Sequence, residues 1–292
     1  MDNRIVVDKL EFYITNVCNL TCSGCNRYNN YKFSGWQDYD DYANVIQAWA
    51  KKIKVVKPFI LGGEPLLNPS INKWVEGIRA AWPDTFSPQI ISNGARIDQV
   101  KGLYESCQKT DTFIGISLHR DEDKETVFRR IRNFLKHPIQ EGPQLRTDMN
   151  SDYQFIDANY VQVHVWMTTE FLQNNIIERP DGTRTLYQSD PIEAHKACPQ
   201  VLHKNYHMIK GKVYKCGPAP LMVEFDQQYP FDLSEEDRAL LYTDPGLSFD
   251  DFDTRGAEFF ANIDNPIPQC KFCPESFEWH KIEFTNLKPN KI

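Results

Sequence analysis

The sequence predicts an α/β fold built on a parallel sheet, followed by a smaller second domain. Residues 1–178 alternate short apolar runs with segments whose apolar residues recur at the 3.6-residue period of amphipathic helices. Such alternation builds a parallel sheet that is either doubly wound or closed as a full or partial barrel. After about Glu178 the chain is richer in proline, aspartate and aromatic residues, and it contains four of the eight cysteines. We therefore expect two domains, at residues 1–178 and 179–292.

The first strand, helix and second strand follow one another between residues 10 and 61. Residues 10–14 are strand-like and stop shortly before the first cysteines. Residues 55–61 form an apolar run that closes at Gly62-Gly63, which suits a buried parallel strand. A helix is predicted over residues 39–54 because apolar residues recur there at helical spacing: Tyr42, Val45, Ile46, Trp49 and Ile53.

The same alternation continues to residue 167. A helix is predicted from Ser70 to just before Pro83, and further helices at residues 97–107 and 121–136. Strands are expected at residues 89–92, 113–118 and 161–167. The polar stretch between Pro138 and Tyr160 has no clear periodicity, so we expect a lid or an insertion there. In the second domain, residues 206–215 are predicted to form a hairpin that turns at Gly211.

Residues that could bind a metal or a ligand follow the end of each of the first four predicted strands. In chain order these groups are a set of cysteines, Gly-Gly-Glu-Pro, Ser-Asn-Gly and Ser-Leu-His. Because the carboxyl ends of parallel strands meet at one edge, we expect these groups to share one rim of the sheet.

Composition limits the compartment and the partners. The 292 residues carry a net charge of −7, which disfavours large nucleic acids as partners. No apolar run reaches the roughly 18–20 residues that span a bilayer, and no apolar signal region precedes the first strand, so we expect a cytoplasmic protein. In that compartment clustered thiols indicate metal ligands before disulfides.

Cys18, Cys22 and Cys25 have the spacing C-x3-C-x2-C. Three thiolates on one loop can hold three corners of an iron–sulfur cube and leave the fourth iron open, which is typical of a reactive site. A zinc knuckle without its fourth ligand and three unrelated thiols are the alternatives. The loop Gly62-Gly63-Glu64-Pro65 offers backbone carbonyls and a carboxylate to a cationic amine, unless it is a plain turn with an exposed glutamate.

In this order and on one rim, the two motifs resemble the radical S-adenosylmethionine (radical SAM) superfamily over residues 8–170. The resemblance implies that the three cysteines hold a 4Fe–4S cluster and that S-adenosylmethionine chelates its open iron. It also implies that the Gly-Gly-Glu-Pro loop holds the amino group of S-adenosylmethionine. The fold that it implies is a partial (β/α) TIM-like barrel of about five to six parallel strands with a small C-terminal domain.

The resemblance extends to Asn93, Ser117 and Arg129. Asn93 lies in a Ser-Asn-Gly step similar to the family's step near the cofactor ribose. Ser117 and Arg129 resemble a serine and an arginine that face the cofactor ribose and carboxylate, although His119-Arg120 replace the family's Asp-Gly. A strand-end serine and a solvated helix arginine are the alternatives for these two.

Gly24 is a second departure from the family pattern. It stands where the family usually has a bulky or aromatic residue before the third cysteine. We therefore expect the adenine to pack elsewhere, against Trp166 or Met167, unless these two are plain core residues.

Four further cysteines form a second group: Cys198, Cys216, Cys270 and Cys273. Four thiolates can complete a tetrahedral zinc site or a fully ligated cube. The spacing C-x12-G-x4-C with a later C-x2-C resembles the twitch domain, the shortened form of the SPASM extension, and implies an auxiliary 4Fe–4S cluster. Cys107 has no partner in sequence and is expected to be a buried or idle thiol.

The resemblance implies reductive cleavage of S-adenosylmethionine to a 5′-deoxyadenosyl radical that abstracts hydrogen from a substrate carbon. With a second cluster as electron acceptor, we expect a two-electron oxidation, a dehydrogenation, of a small molecule, served by an external one-electron donor such as flavodoxin or ferredoxin. A peptide- or protein-modifying maturase is the alternative, and a non-catalytic iron–sulfur or zinc electron-transfer module is another. No catalytic base is identified among the candidate histidines: His119, His164, His195, His203 and His207.

Overall fold

A computed structural model describes residues 2–136, 138–143, 152–199 and 203–284. The strands in these ranges are β1 (Ile5–Tyr13), β2 (Ile53–Leu61), β3 (Gln89–Ser92), β4 (Phe113–Leu118), β5 (Ile139–Pro143), β6 (Tyr153–Asp157), β7 (Gln162–Met167), β8 (Glu170–Leu172), β9 (Ile176–Glu178), β10 (Arg184–Leu186), β11 (Asn205–Ile209), β12 (Lys212–Tyr214) and β13 (Trp279–Lys281). The α-helices are α1 (Tyr39–Lys52), α2 (Ile71–Ala81), α3 (Leu103–Thr110), α4 (Lys124–Phe134), α5 (Pro191–Ala197), α6 (Pro218–Gln228), α7 (Glu235–Leu241) and α8 (Phe252–Ala261). Within the described ranges, no helix combines the length and the apolar character that crossing a bilayer requires.

The central sheet has nine strands in the order β12-β11-β1-β2-β3-β4-β7-β6-β5. The strands from β11 to β7 pair in parallel. The two edges are antiparallel, with β12 on β11 at one side and β6 and β5 beyond β7 at the other. The predicted α/β class, with a mostly parallel sheet consistent with a partial TIM-like barrel, is confirmed.

One face of this sheet forms the main apolar core with the helices. Leu10 and Phe12 of β1 are fully buried, and the ring of Phe12 packs against Trp74 and Trp82. Because side chains alternate along a strand, Glu11 faces the opposite side of the sheet. The same alternation in β4 buries its isoleucines in the core and turns Ser117 toward the cavity described below.

Several element boundaries differ from the sequence-based predictions. The third helix begins at Leu103 rather than at residue 97, because Gly102 precedes it in a left-handed conformation with φ of +76°. The fourth helix begins at Lys124, after a 3₁₀ turn over Asp121–Asp123. Strand β1 begins already at Ile5, since its first residues pair with the start of β2.

The stretch between Pro138 and Tyr160 is not an irregular lid in its described parts. Its two ends form β5 and β6, which pair antiparallel and extend the sheet beyond β7. The physical reason is the burial of Phe155 of β6 against the core. Residues 144–151 lie outside the described ranges.

The predicted hairpin of the second domain is present as β11 and β12, and Gly211 turns it with φ of +77°. Its place in the fold differs from the expectation, because β11 pairs in parallel with β1 and so belongs to the main sheet. Its buried Met208 and Tyr206 join the main core. A second apolar cluster lies around Phe225 of α6 and includes residues from both halves of the chain.

Gly62 and Gly63 follow β2 and lie directly against the segment that leads to the first cysteine. The amides of Gly63 and Glu64 donate to the carbonyls of Thr15 and Val17, each at 2.8 Å. A Cβ on Gly62 would lie 2.5 Å from the Thr15 carbonyl oxygen. A Cβ on Gly63 would overlap the Val17 carbonyl oxygen. The two glycines are therefore required for this close approach, which fixes the start of the cysteine loop.

Replacing Gly63 with alanine should destabilise the metal-free protein. The added methyl group must displace the Val17 backbone, and such overpacking typically costs about 1–3 kcal/mol. Urea unfolding of Gly63→Ala measures this loss against Gly142→Ala, where a Cβ meets nothing within 4 Å. Equal stability of the two variants would show that the close approach is not a constraint.

Candidate active site

A cavity of about 800 Å³ opens at the carboxyl ends of the central strands. It brings the first cysteine group together with residues that follow β2, β3 and β4, as the alternation of strands and helices predicts. The predicted site residues that line it are Cys18, Cys22, Cys25, Gly62, Gly63, Asn93 and Ser117. Four of the predicted functional groups therefore meet in one place.

The three thiols of this cavity lie in a largely buried loop. Cys22 is buried, and burial raises the pKa of its thiol to about 12. Burial also raises the pKa of the Cys18 thiol, and the nearby Glu64 carboxylate adds to this effect. The loop is tied to the end of β3, because the side-chain amide of Asn93 donates to the Asn19 side-chain oxygen at 2.8 Å.

Glu64 does not offer its carboxylate to the cavity, which corrects the expectation from the motif. Its side chain is fully buried and accepts hydrogen bonds from the Leu66 amide at 3.0 Å, the Ser92 hydroxyl at 2.8 Å and the Asn93 amide at 2.8 Å. Burial raises the pKa of Glu64, although the three hydrogen bonds act to lower it. Neither Glu64 nor Pro65 lines the cavity, so the glycines form the surface of the loop and Glu64 holds it to β3 from behind.

Ser117 and Arg129 have different outcomes. Ser117 lines the cavity, and its hydroxyl donates to the Thr168 hydroxyl at 2.7 Å. Arg129 is exposed on α4 and does not line the cavity. The helical period explains this, because Val127, Phe128 and Ile131 form the buried face of α4 and Arg129 points away from it. The structure therefore does not bring Arg129 together with the other predicted site residues.

Phe171 places an aromatic ring beside Gly24, at which position the sequence has no bulky side chain. Gly24 has φ of +71°, and a Cβ there would lie 3.4 Å from the Phe171 Cβ. Phe171 lines the cavity and packs edge-on against His119, with ring centroids 5.2 Å apart. Trp166 and Met167 do not line this cavity, so the expected adenine contacts are not found there. Sequence reasoning missed Phe171 because it lies in the short strand β8 and belongs to no motif.

His119 and Arg27 also line the cavity and were not assigned a role from the sequence. The Nδ1 of His119 donates to the Thr168 carbonyl oxygen at 3.2 Å, and burial lowers the pKa of this histidine. Arg27 follows Cys25 by two residues and forms an ion pair with Glu11. The Ser-Leu-His step placed His119 on the predicted rim, whereas only the fold shows that Arg27 lines the cavity.

The second cysteine group also converges on one cavity. All four of its thiols line it together with Lys215 and His195: Cys198, Cys216, Cys270 and Cys273. Burial, with a smaller contribution from neighbouring thiols, raises the pKa of Cys216 to about 12 and that of Cys270 to about 11. The donor set and this mutual influence fit a group that is held by four thiolates.

No three His, Cys, Asp or Glu side chains in the described ranges are arranged to hold a single metal ion. Clusters at the two cysteine groups are indicated instead by the sets of thiols and by the cavity that each set shares.

A third cavity lies between the two cysteine groups. It is lined by Cys25 of the first group and by three thiols of the second, Cys198, Cys216 and Cys273. Its other lining residues include amide side chains and aromatic rings, beside Glu170 and His203: Asn26, Gln173, Asn174, Asn175, Phe171, Phe277 and Trp279. A molecule in this cavity would contact both groups at once.

Comparison with known proteins agrees with the first of these sites. Residues 12–141 match the model of the Radical SAM superfamily, and that superfamily implies S-adenosylmethionine and a 4Fe–4S cluster. Among solved structures, one described as BtrN in complex with AdoMet and 2-DOIA is similar over 94% of each chain, with 13% identity and a TM-score of 0.47. The search of curated proteins gave no significant match.

Replacing Glu64 with glutamine should destabilise the protein even without metal or cofactor. The new amide group would face donors that now meet a carboxylate oxygen, which leaves a buried donor unpaired and typically costs about 1–3 kcal/mol. Urea unfolding of metal-free Glu64→Gln measures this, with Glu125→Gln on the exposed face of α4 as the control. Unchanged stability together with weaker S-adenosylmethionine binding would instead indicate that Glu64 directly contacts the amino group of S-adenosylmethionine.

Proposed function

We propose that the protein is a radical SAM enzyme that oxidises a small polar molecule by two electrons. The observation that carries this proposal is the shared cavity of Cys18, Cys22 and Cys25 with the loop of Gly62 and Gly63. The match to the superfamily covers the same residues.

When bound, the cofactors would supply an electron to S-adenosylmethionine, a 5′-deoxyadenosyl radical that takes hydrogen from a substrate carbon, and an acceptor for the electron that the substrate then loses. The protein's own contribution is binding and orientation. The three thiolates of the first group would hold one 4Fe–4S cluster. The Gly62-Gly63 surface permits close approach of the methionine part, and Phe171 offers an aromatic face to the adenine.

The cavity between the cysteine groups is the proposed substrate site. Cys25, Cys216 and Cys273 all line it, so a molecule held there would lie near both groups. Its amide side chains favour hydroxyl or amide groups on the substrate, and Trp279 offers an apolar face. The second group would hold the auxiliary 4Fe–4S cluster, because four thiols leave no position open for substrate.

The proposal includes an external one-electron donor of the flavodoxin or ferredoxin type. The electron that starts each cleavage of S-adenosylmethionine must reach the first cluster from another protein or from a chemical reductant. Dithionite can take this part in the test below.

Anaerobically reconstituted, dithionite-reduced protein should convert S-adenosylmethionine to 5′-deoxyadenosine. Cys22→Ala should abolish this conversion because it removes one thiolate of the first group. Cys107→Ala is the matched control, since Cys107 is buried on α3 and lines neither cysteine cavity. The measurement is chromatographic detection of 5′-deoxyadenosine, and normal conversion by Cys22→Ala would overturn the proposal.

A further inference from the structure

A buried ion pair with a neighbouring histidine lies on the inner face of the sheet. Glu11 of β1 and His207 of β11 are directly opposite each other in the parallel pairing. Arg27 donates through Nη2 to Glu11 Oε2 at 2.5 Å, and His207 Nδ1 lies 2.9 Å from the same oxygen. The other carboxylate oxygen accepts from the Asn205 amide at 2.8 Å. Both oxygens of Glu11 therefore have partners within the protein.

The charges of this group are fixed at neutral pH. Burial acts to raise the pKa of Glu11, but the Arg27 guanidinium and the hydrogen bonds from His207 and Arg27 hold this pKa below its usual range. Burial lowers the pKa of His207, so the histidine is neutral. A guanidinium stays protonated in proteins. The group thus consists of one positive and one negative charge, with side chains only 11% and 12% exposed.

Arg27 spans the distance between the two cysteine groups. It follows Cys25 by two residues and lines the first cavity. At its other end, a Cβ on Gly217 would overlap Arg27 Nη1 and would lie 3.0 Å from His207 Nδ1. Gly217 directly follows Cys216 and has φ of −67° and ψ of −41°, which any residue can adopt. The glycine is therefore needed for space, and the space is filled by the guanidinium.

A buried ion pair is weak evidence for stability, because desolvation of both charges offsets their attraction. Its position suggests a different role. Thiolate-held iron–sulfur clusters are anionic, and their reduction potentials depend on net charge and on neighbouring hydrogen bonds. A fixed positive charge next to Cys216 favours the state that has one more electron.

We propose that Arg27, held in place by Glu11, is a positioning residue that raises the reduction potential of the cluster at the second cysteine group. The inference rests on the proposed function, since it requires an auxiliary cluster at that group. Glu11 and His207 on β1 and β11 belong to none of the recognised motifs, and this group with Arg27 would have an electrostatic function. The chain would thereby adjust its electron acceptor with a charge that comes from the loop of the other cluster.

The test is a redox titration followed by electron paramagnetic resonance on the reconstituted full chain. The signal of the second cluster is identified as the one that persists in Cys22→Ala. Arg27→Gln should shift its midpoint to more negative potential, and Glu11→Gln should shift it to more positive potential. Each shift should reach at least a tenfold change in the reduction equilibrium, which is about 59 mV for one electron.

Two further variants separate charge from structure. Arg27→Lys keeps the charge and should retain most of the wild-type midpoint, and the double variant Arg27→Gln/Glu11→Gln should fall between the two single variants. A merely structural role would shift both single variants in the same direction. If Arg27→Gln does not fold, Glu11→Gln alone decides, because removal of the negative charge must raise the potential.

The outcomes distinguish this inference from the proposed function. A second cluster whose midpoint is the same in all variants, or moves in one direction only, overturns the role of Arg27 and leaves the proposed function intact. Wild-type protein that holds no second cluster overturns both. Opposite shifts in the two single variants support the inference.

Discussion

Backbone hydrogen bonds between the loop after β2 and the segment before Cys18 are the interaction on which the rest of the site depends. They form only because Gly62 and Gly63 have no side chains to hold the two segments apart. Behind the loop, the buried Glu64 carboxylate joins the same unit to the end of β3. The cysteine loop and two strand ends are thus fixed relative to one another before any cofactor binds.

The same arrangement explains why cofactor and fold are coupled. The thiols of both cysteine groups are buried enough that the pKa of each of Cys22 and Cys216 is raised to about 12. Cluster ligation requires thiolates, so cluster assembly must release protons from these thiols. The metal–sulfur bonds must also offset the free-energy cost of burying the charged thiolates. Cys25 of the first group and three thiols of the second line the cavity between them, and Arg27 lines the first cavity. If clusters are bound as proposed, Arg27 places a positive charge close to two anionic groups.

Local patterning predicted the parts of the fold that local sequence determines. Strands β3 and β4 lie at the predicted residues because each is a short apolar run bounded by turns. The placement of β11 beside β1 could not be predicted, since it depends on pairing between residues almost two hundred positions apart. In the site, the cysteines and glycines were recognisable from short spacings. The burial of Glu64, the exposure of Arg129 and the approach of Phe171 depend on tertiary packing, which no spacing encodes.

Metal analysis with Mössbauer spectroscopy of anaerobically purified protein can show whether the two cysteine groups hold two 4Fe–4S clusters, as proposed. We expect about eight irons per chain, all in 4Fe–4S clusters, and no stoichiometric zinc. Cys270→Ala/Cys273→Ala should retain about four irons and still form 5′-deoxyadenosine. About four irons and one zinc in the native protein would show instead that the second group holds zinc.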